Sequence, residues 1–334
     1  MNRFPPVSTF NRWRRRRWSF LITLLVVCVL SGVTSYATSP GTNNCDTGLP
    51  PSLIFISDTQ APMLIETLRL QTDDNEEATR TLFRSIAADS TCKAVFHLGD
   101  IVSMGWSADS WADFDEKSAP LLQTHIPLYP TLGNHEYMLW GTAGHALFAD
   151  RYPEYAAGWY AKPYCGIGVV ILNSNFSHLS VTERETQQRW YEEQLLHFEA
   201  DTSIATVLVA CHHSPFTNST VVEPSEGVRQ HFVPPFLRCR KASLFLSGHS
   251  HAAEHFLRDG KDFVVLGGGG GLLHPLWTGE DQRWKDLFSR EGNRSFFHYL
   301  RVSRHADSLL VQVVALRNEA TSPGVAYSFE ITIR

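Results

Sequence analysis

Apolar runs in this chain end repeatedly on an acid, an amide or an imidazole. "SLIFIS" (52–57) runs into Asp58-Thr59-Gln60, and "AVFHL" (94–98) into Gly99-Asp100. "IPLYPTL" (126–132) leads to Gly133-Asn134-His135-Glu136. "ATVLVA" (205–210) leads to Cys211-His212-His213-Ser214-Pro215, and "SLFLS" (243–247) to Gly248-His249-Ser250-His251. Between these runs lie stretches of helical period, the rhythm of a layered α/β fold. Ligands of open α/β sheets bind outside the carboxyl ends of the strands, so such tips would converge on one place. Each tip alone has a plain reading. An Asp after a strand caps or turns, and a lone buried histidine is usually a satisfied core residue. The conjunction is what points to a site.

The spacing predicts helices over 75–89, 107–122, 142–150 and 182–199, with Thr182 and Glu185 as the capping box of the last. A further strand is expected at "GVVILN" (168–173). The last eighty residues change character. "DFVVLGG", "HYLRVSRHADSLLVQVVAL" and "AYSFEITI" read as antiparallel strands, giving one domain over 52–334 with two sheets.

Ahead of that domain, Arg12 and Arg14 to Arg17 precede an apolar run from about Trp18 to Val33, then small residues. That order is a secretory signal, with cleavage expected after Ala37, or an uncleaved N-terminal anchor. Residues 38–51 read as a linker. The segment 1–37 holds six of the 29 basic residues and none of the 34 acidic ones. The mature chain would therefore carry 23 basic residues against 34 acidic, a net charge near −11. A nucleic-acid scaffold would need the opposite sign. Five cysteines would remain, Cys45, Cys92, Cys165, Cys211 and Cys239, either paired in part after export or buried as thiols.

These blocks, in this order, resemble the calcineurin-like metallophosphoesterase superfamily over roughly residues 50–275. The resemblance implies an α/β fold in which a two-sheet β-sandwich is flanked by helices, four layers α/β/β/α. It also implies two metal ions, Mn, Fe, Zn or Mg, divalent or trivalent. The first would take Asp58, Gln60 and His251. Asp100 would bridge. The second would take Asn134, His249 and a histidine of the 212–213 pair, His212 by alignment of Pro215-Phe216 and His213 by counting back from Pro215. His135 would face the substrate, oriented by Glu136. The chain departs from the pattern at Gln60, where the family has histidine. An amide oxygen is a weaker, harder ligand than imidazole. Purple acid phosphatases carry a tyrosine three residues after the bridging acid. Ser103 stands there, so a ferric–tyrosinate centre is not expected.

The chemistry accounts for the residue types. Two cations about 3.5–4 Å apart neutralise a phosphate and make a bridging hydroxide at neutral pH. Asp100 can place an oxygen on each, Asp58 adds charge, and neutral imidazoles complete the shells. His135 could give the leaving oxygen a proton, and a carboxylate such as Glu136 on its far nitrogen would raise its basicity. Gly267 to Gly271 lack the Lys-Ser/Thr of a phosphate-binding loop and are expected as a flexible loop bordering the site. His274 is expected at the surface, His97 behind Asp100 or in the core, and Trp106, Trp111, Trp140 and Trp159 along a cleft or in cores. The reading is an exported phosphomonoesterase of acid-phosphatase type acting on a small phosphate ester, touching membrane only through the N-terminal segment if that is uncleaved. Its rivals are a phosphodiesterase on nucleotides, cyclic nucleotides or lipid head groups, and a non-catalytic binder with a decayed first metal site.

Overall fold

A computed structural model describes residues 50–62, 75–288, 296–316 and 322–333. The signal or anchor segment and all of the linker but its last two residues lie outside the described residues. Two six-stranded sheets face each other. The first has the order β12 (Gly324–Thr332), β11 (Ser308–Leu316), β10 (Phe297–His305), β1 (Ser52–Ile56), β2 (Cys92–His97), β3 (Leu128–Pro130). The second has the order β4 (Tyr160–Tyr164), β5 (Ile167–Leu172), β6 (Thr206–Cys211), β7 (Ala242–Ser247), β9 (Lys261–Leu266), β8 (Ala253–Arg258).

The strands read as unbroken apolar runs because both of their faces are covered. In β1, Leu53 and Phe55 point between the sheets, where they meet Phe96, Ile171, Leu208 and Leu246. Ile54 and Ile56 point the other way, against Leu82, Phe83 and Ile86 of α1 (Asn75–Ala88) and Phe114 of α2 (Ala108–Leu122). On the far side Val170, Leu172, Val207 and Val209 pack on Tyr191, Leu195 and Phe198 of α4 (Val181–Ala200) and on Phe232 and Phe236. The result is the four-layer arrangement expected. Between α2 and α4 comes α3 (Gly141–Arg151), and after α4 two short helices follow, α5 (Glu226–His231) and α6 (Val233–Arg238).

Some details differ from the sequence reading. The cap of α4 is Ser180, whose hydroxyl accepts the Glu183 N–H while the Glu183 side chain returns to the Ser180 backbone, two residues earlier than Thr182 and Glu185. Ser180 takes it because its backbone is extended there, as a cap requires. Strand β4, "YAKPY", was not anticipated. It lies at a sheet edge, where Pro163 is tolerated. β9 runs parallel to β7 and antiparallel only to β8.

In the first sheet β1, β2 and β3 are parallel; in the second, β5, β6, β7 and β9 are. Parallel strands put their carboxyl ends at one end of the sheet, and there the polar tips gather.

Candidate metal centre

Three of the tip residues stand in left-handed backbone: Asp58 at φ 60°, Asp100 at φ 50° and His249 at φ 65°. L-residues adopt that region at a cost, and such strain collects at functional sites. The glycines beside them are required by contact. A Cβ on Gly133 would stand 2.2 Å from Asp100 Oδ1, and one on Gly248 2.0 Å from Ser57 Oγ and 2.4 Å from Asp58 Oδ2. The Gly-Asn-His and Gly-His-Ser-His spacings thus follow from how closely the tips approach.

The tips do converge. Asp58 is fully buried and its carboxylate accepts the His249 N–H at 3.0 and 3.1 Å. His251 Nε2 lies 3.4 Å from Asp58 Oδ1. His212 Nε2 lies 3.2 Å from Asp100 Oδ2 and 3.1 Å from Asn134 Oδ1. Asp58, Asp100 and His212 can bring one ligand atom each within 4.8 Å of the others, and so can His212, His213 and His249. His213 therefore stands in the same cluster, its Nδ1 2.8 Å from the Ser174 hydroxyl.

Three imidazoles are oriented alike. His212 Nδ1 donates to Leu98 O at 3.0 Å, His251 Nδ1 to Leu272 O at 2.6 Å, and His135 Nδ1 to Ser103 O at 2.8 Å. A carbonyl only accepts, so each ring in its neutral form keeps the Nε2 lone pair for the cluster. Gln60 is buried beside His251, with its Nε2 3.2 Å from the ring Nε2. Its Oε1 is buried and finds no hydrogen-bond partner among the described residues. A buried orphan oxygen beside two carboxylates and several imidazole lone pairs is what a cation would satisfy. The donor set fits metal ions, which Asp58, Asp100 and His212 and, beside them, His212, His213 and His249 would hold, with Gln60, Asn134 and His251 close enough to join them.

Asp100 Oδ1 accepts the His135 N–H at 2.7 Å, and Oδ2 is turned to the ring nitrogens of His212 and His135. One expectation is corrected. Glu136 does not orient His135, since Ser103 O holds that nitrogen. It is fully buried, and its two oxygens accept the N–H groups of Asp100 (3.0 Å), Ile101 (2.8 Å), Val102 (3.3 Å) and Gly133 (2.6 Å). It clamps the loop carrying Asp100 to the loop carrying Asn134.

The electrostatics follow from burial and from charge held close. Burial alone would lower the His212 pKa, but Asp100, Asp58 and Glu136 outweigh it and raise it to about 9. Asp100 moves the opposite way: burial opposes its charge, and His212 and His135 hold it well below the usual carboxylate range. Without cations, the two form an ion pair. Burial and then Asp100 push the Glu136 carboxyl up to about 7. Burial and the neighbouring His213 and His212 keep His249 well below the ordinary imidazole range.

Other residues sit behind these. His274 is buried rather than superficial. Its ring stacks on His251 at 4.3 Å, and its Nδ1 accepts the His251 N–H. His97 does not reach Asp100: its Nε2 pairs with the Thr59 hydroxyl at 2.8 Å, which donates on to Ile101 O. The run Gly267 to Gly271 is a buried strut, not a flexible border. Gly269 and Gly271 N–H groups donate to Ser57 O and Asp58 O, and Asn75 and Thr79 side chains hold its carbonyls. Only glycine lets that backbone press on the first tip, since a Cβ on Gly269 would stand 2.3 Å from Ser57 O. Ser174 was missed, although "VVILN" is a sixth apolar run followed by polar residues. Trp111 is core, while Trp106 and Trp140 pair at 4.3 Å.

The fold is that of the metallophosphoesterase superfamily. The profile of the calcineurin-like phosphoesterase family matches residues 51–253, more than half of the chain, and the chain belongs to that family. No curated protein matches it in sequence. Among solved structures it is similar to GAP50, the anchor in the inner membrane complex of Plasmodium, with a TM-score of 0.64, 12% identity, and 85% of this chain and 89% of that one covered. A dimetal phosphatase from Danio rerio gives a TM-score of 0.53 at 15% identity, over 86% of this chain and 100% of the other. PhoD gives 0.55 at 11% identity, over 85% and 70%. At such identities the likeness is one of fold.

Proposed function

We propose that the chain is an exported phosphoesterase with two metal ions, hydrolysing small phosphate monoesters. The observation that carries this is the meeting of Asp58, Asp100, Asn134, His212, His249 and His251 at one end of both sheets, with Nε2 lone pairs turned inward. Bound there, cations would supply the charge that neutralises a phosphate and the Lewis acidity that makes water nucleophilic at neutral pH. The chain's own work is separate. Asp58 and Asp100 would balance cation charge from buried positions. Backbone carbonyls fix the imidazole tautomers. His135, tethered through Nδ1, presents Nε2 3.9 Å from Asp100 Oδ2; with a second proton on the ring, Nε2 is the atom from which that proton would pass to the departing alkoxide.

The acidic mature chain disfavours polyanionic substrates such as nucleic acids. Export is supported by the order of the N-terminal segment and by Cys165, which is disulfide-bonded. Cys92, Cys211 and Cys239 are free and buried. Among the described residues no helix is long and apolar enough to cross a membrane.

The test is elemental analysis of the mature chain, then parallel turnover of an aryl monophosphate and the matching bis-aryl phosphate with Mn, Fe, Zn and Mg. Faster turnover of the monoester supports the proposal. Preference for the diester selects the phosphodiesterase reading. One bound metal and no turnover with any ion selects a binding protein.

A further inference from the structure

Next to the metal centre lies a cleft of about 380 Å³, within the roughly 300–1,000 Å³ typical of small-molecule sites. Three connections build it: the turn and helix after β3, the residues before β4, and the loop after β5 leading into α4. All three leave from the end of the sheets where the metal ligands gather. The cleft shares a wall with the site. Tyr137 lies two residues beyond His135, and its N–H donates to Asn134 O at 3.1 Å. The loop after β5 also carries Ser174, which holds His213, and Asn175, whose amide donates to Leu132 O.

The lining is made of rings. Tyr137 is stacked between His178 (4.5 Å, 11°) and His145 (5.9 Å, 14°), a rigid wall. Half-buried Trp159 and buried Leu179 complete it. Among the described residues no lysine or arginine lines the cleft, and the one carboxylate there, Glu183, is engaged by the Ser180 cap. Just beyond Tyr137 the same segment exposes Leu139 (71%) and Trp140 (60%). Apolar side chains left in water beside a cleft mark a place where something apolar docks.

We infer that this cleft is the leaving-group subsite and that it takes an uncharged, flat aromatic alcohol. The inference rests on the phosphoesterase reading above. In the reaction a water oxygen bonds to phosphorus as the P–OR bond breaks. One water proton goes to the alkoxide, so that ROPO₃²⁻ and H₂O give ROH and HPO₄²⁻. The phosphate faces the ligand cluster, and R extends past His135 between Trp159 and His178. Rings of this kind offer a large contact area at little conformational cost. Among the described residues lining the cleft a second phosphate on R would find no lysine or arginine, which disfavours nucleoside diphosphates and polyphosphorylated alcohols.

The experiment compares kcat/KM for 1-naphthyl phosphate and glycerol 2-phosphate in the wild type, Trp159→Ala and Thr142→Phe. The last fills the cleft from an exposed helix position and removes no packing. Both variants should lower the naphthyl-to-glycerol ratio about tenfold, the scale of a lost apolar contact. A second arm measures 1-naphthol binding to the metal-free protein by calorimetry, with the variants expected to lose it. An unchanged ratio, or naphthol binding that the variants leave intact, overturns the subsite. If neither ester turns over in any protein, the phosphoesterase reading fails, and naphthol binding alone then decides the cleft: binding lost in both variants upholds it, and binding absent from the wild type overturns it.

Discussion

Glu136→Gln separates two roles that the Gly-Asn-His-Glu motif allows. If the carboxylate served only to orient His135, the amide would cost turnover and leave stability alone. The structure gives it another task, accepting four buried N–H groups on two oxygens. A glutamine can keep one oxygen on Ile101 and Val102. Its NH₂ must then face the N–H groups of Asp100 and Gly133, donor against donor. Two unmet buried donors at roughly 1–3 kcal/mol each give about 2–6 kcal/mol. That is a large share of the 5–15 kcal/mol of a typical domain. The measurement is equilibrium urea unfolding of the metal-free protein at pH 8, above the value of about 7 to which burial raises this carboxyl, so that the wild-type group is ionised. Because Asp100 and Asn134 ride on the clamped loops, metal affinity should fall about 10- to 100-fold as well. A variant within about 0.5 kcal/mol of wild type, the range of an inconsequential surface change, would refute the clamp.

Further outcomes are expected. His135→Ala should retain its full complement of metal and lose about 10²- to 10⁴-fold in kcat, checked by elemental analysis and steady-state rates; lost metal with normal turnover per ion would reverse the assignment. Asn134→Ala and His249→Ala should each bind less metal, and His249→Gly should be more stable than His249→Ala by about 1 kcal/mol, because glycine relieves the left-handed backbone at φ 65°. Metal affinity should rise up to about tenfold per pH unit between pH 6 and 8, since His212, raised to about 9, must shed a proton to ligate; calorimetry in buffers of different ionisation enthalpy would count it. In the metal-free protein the same raised pKa adds stability below about 6.5 that is lost as pH rises through about 9. The buried Cys92 thiol, pushed up to about 12, should resist alkylation at pH 8 until the chain unfolds, as mass spectrometry would show.

A layered α/β fold with two sheets and the convergence of the strand tips were legible in the residues themselves, while the four-layer order came with the family resemblance. A strand buried on both faces is a local apolar run, and a helix is a local period, so both are written within a few neighbours. The ligand types could be read for the same reason, each sitting at the end of its own run. What only the tertiary structure decided is which atoms face inward and what holds them. His251 is turned by Leu272 O, Asp58 by the His249 N–H 191 residues away, and Glu136 by four amides. Backbone groups are the same at every position and leave no mark in a sequence. The buried glycine strut shows the same limit: five glycines read as freedom along the chain, and become rigid only because another strand's tip presses where a Cβ would be.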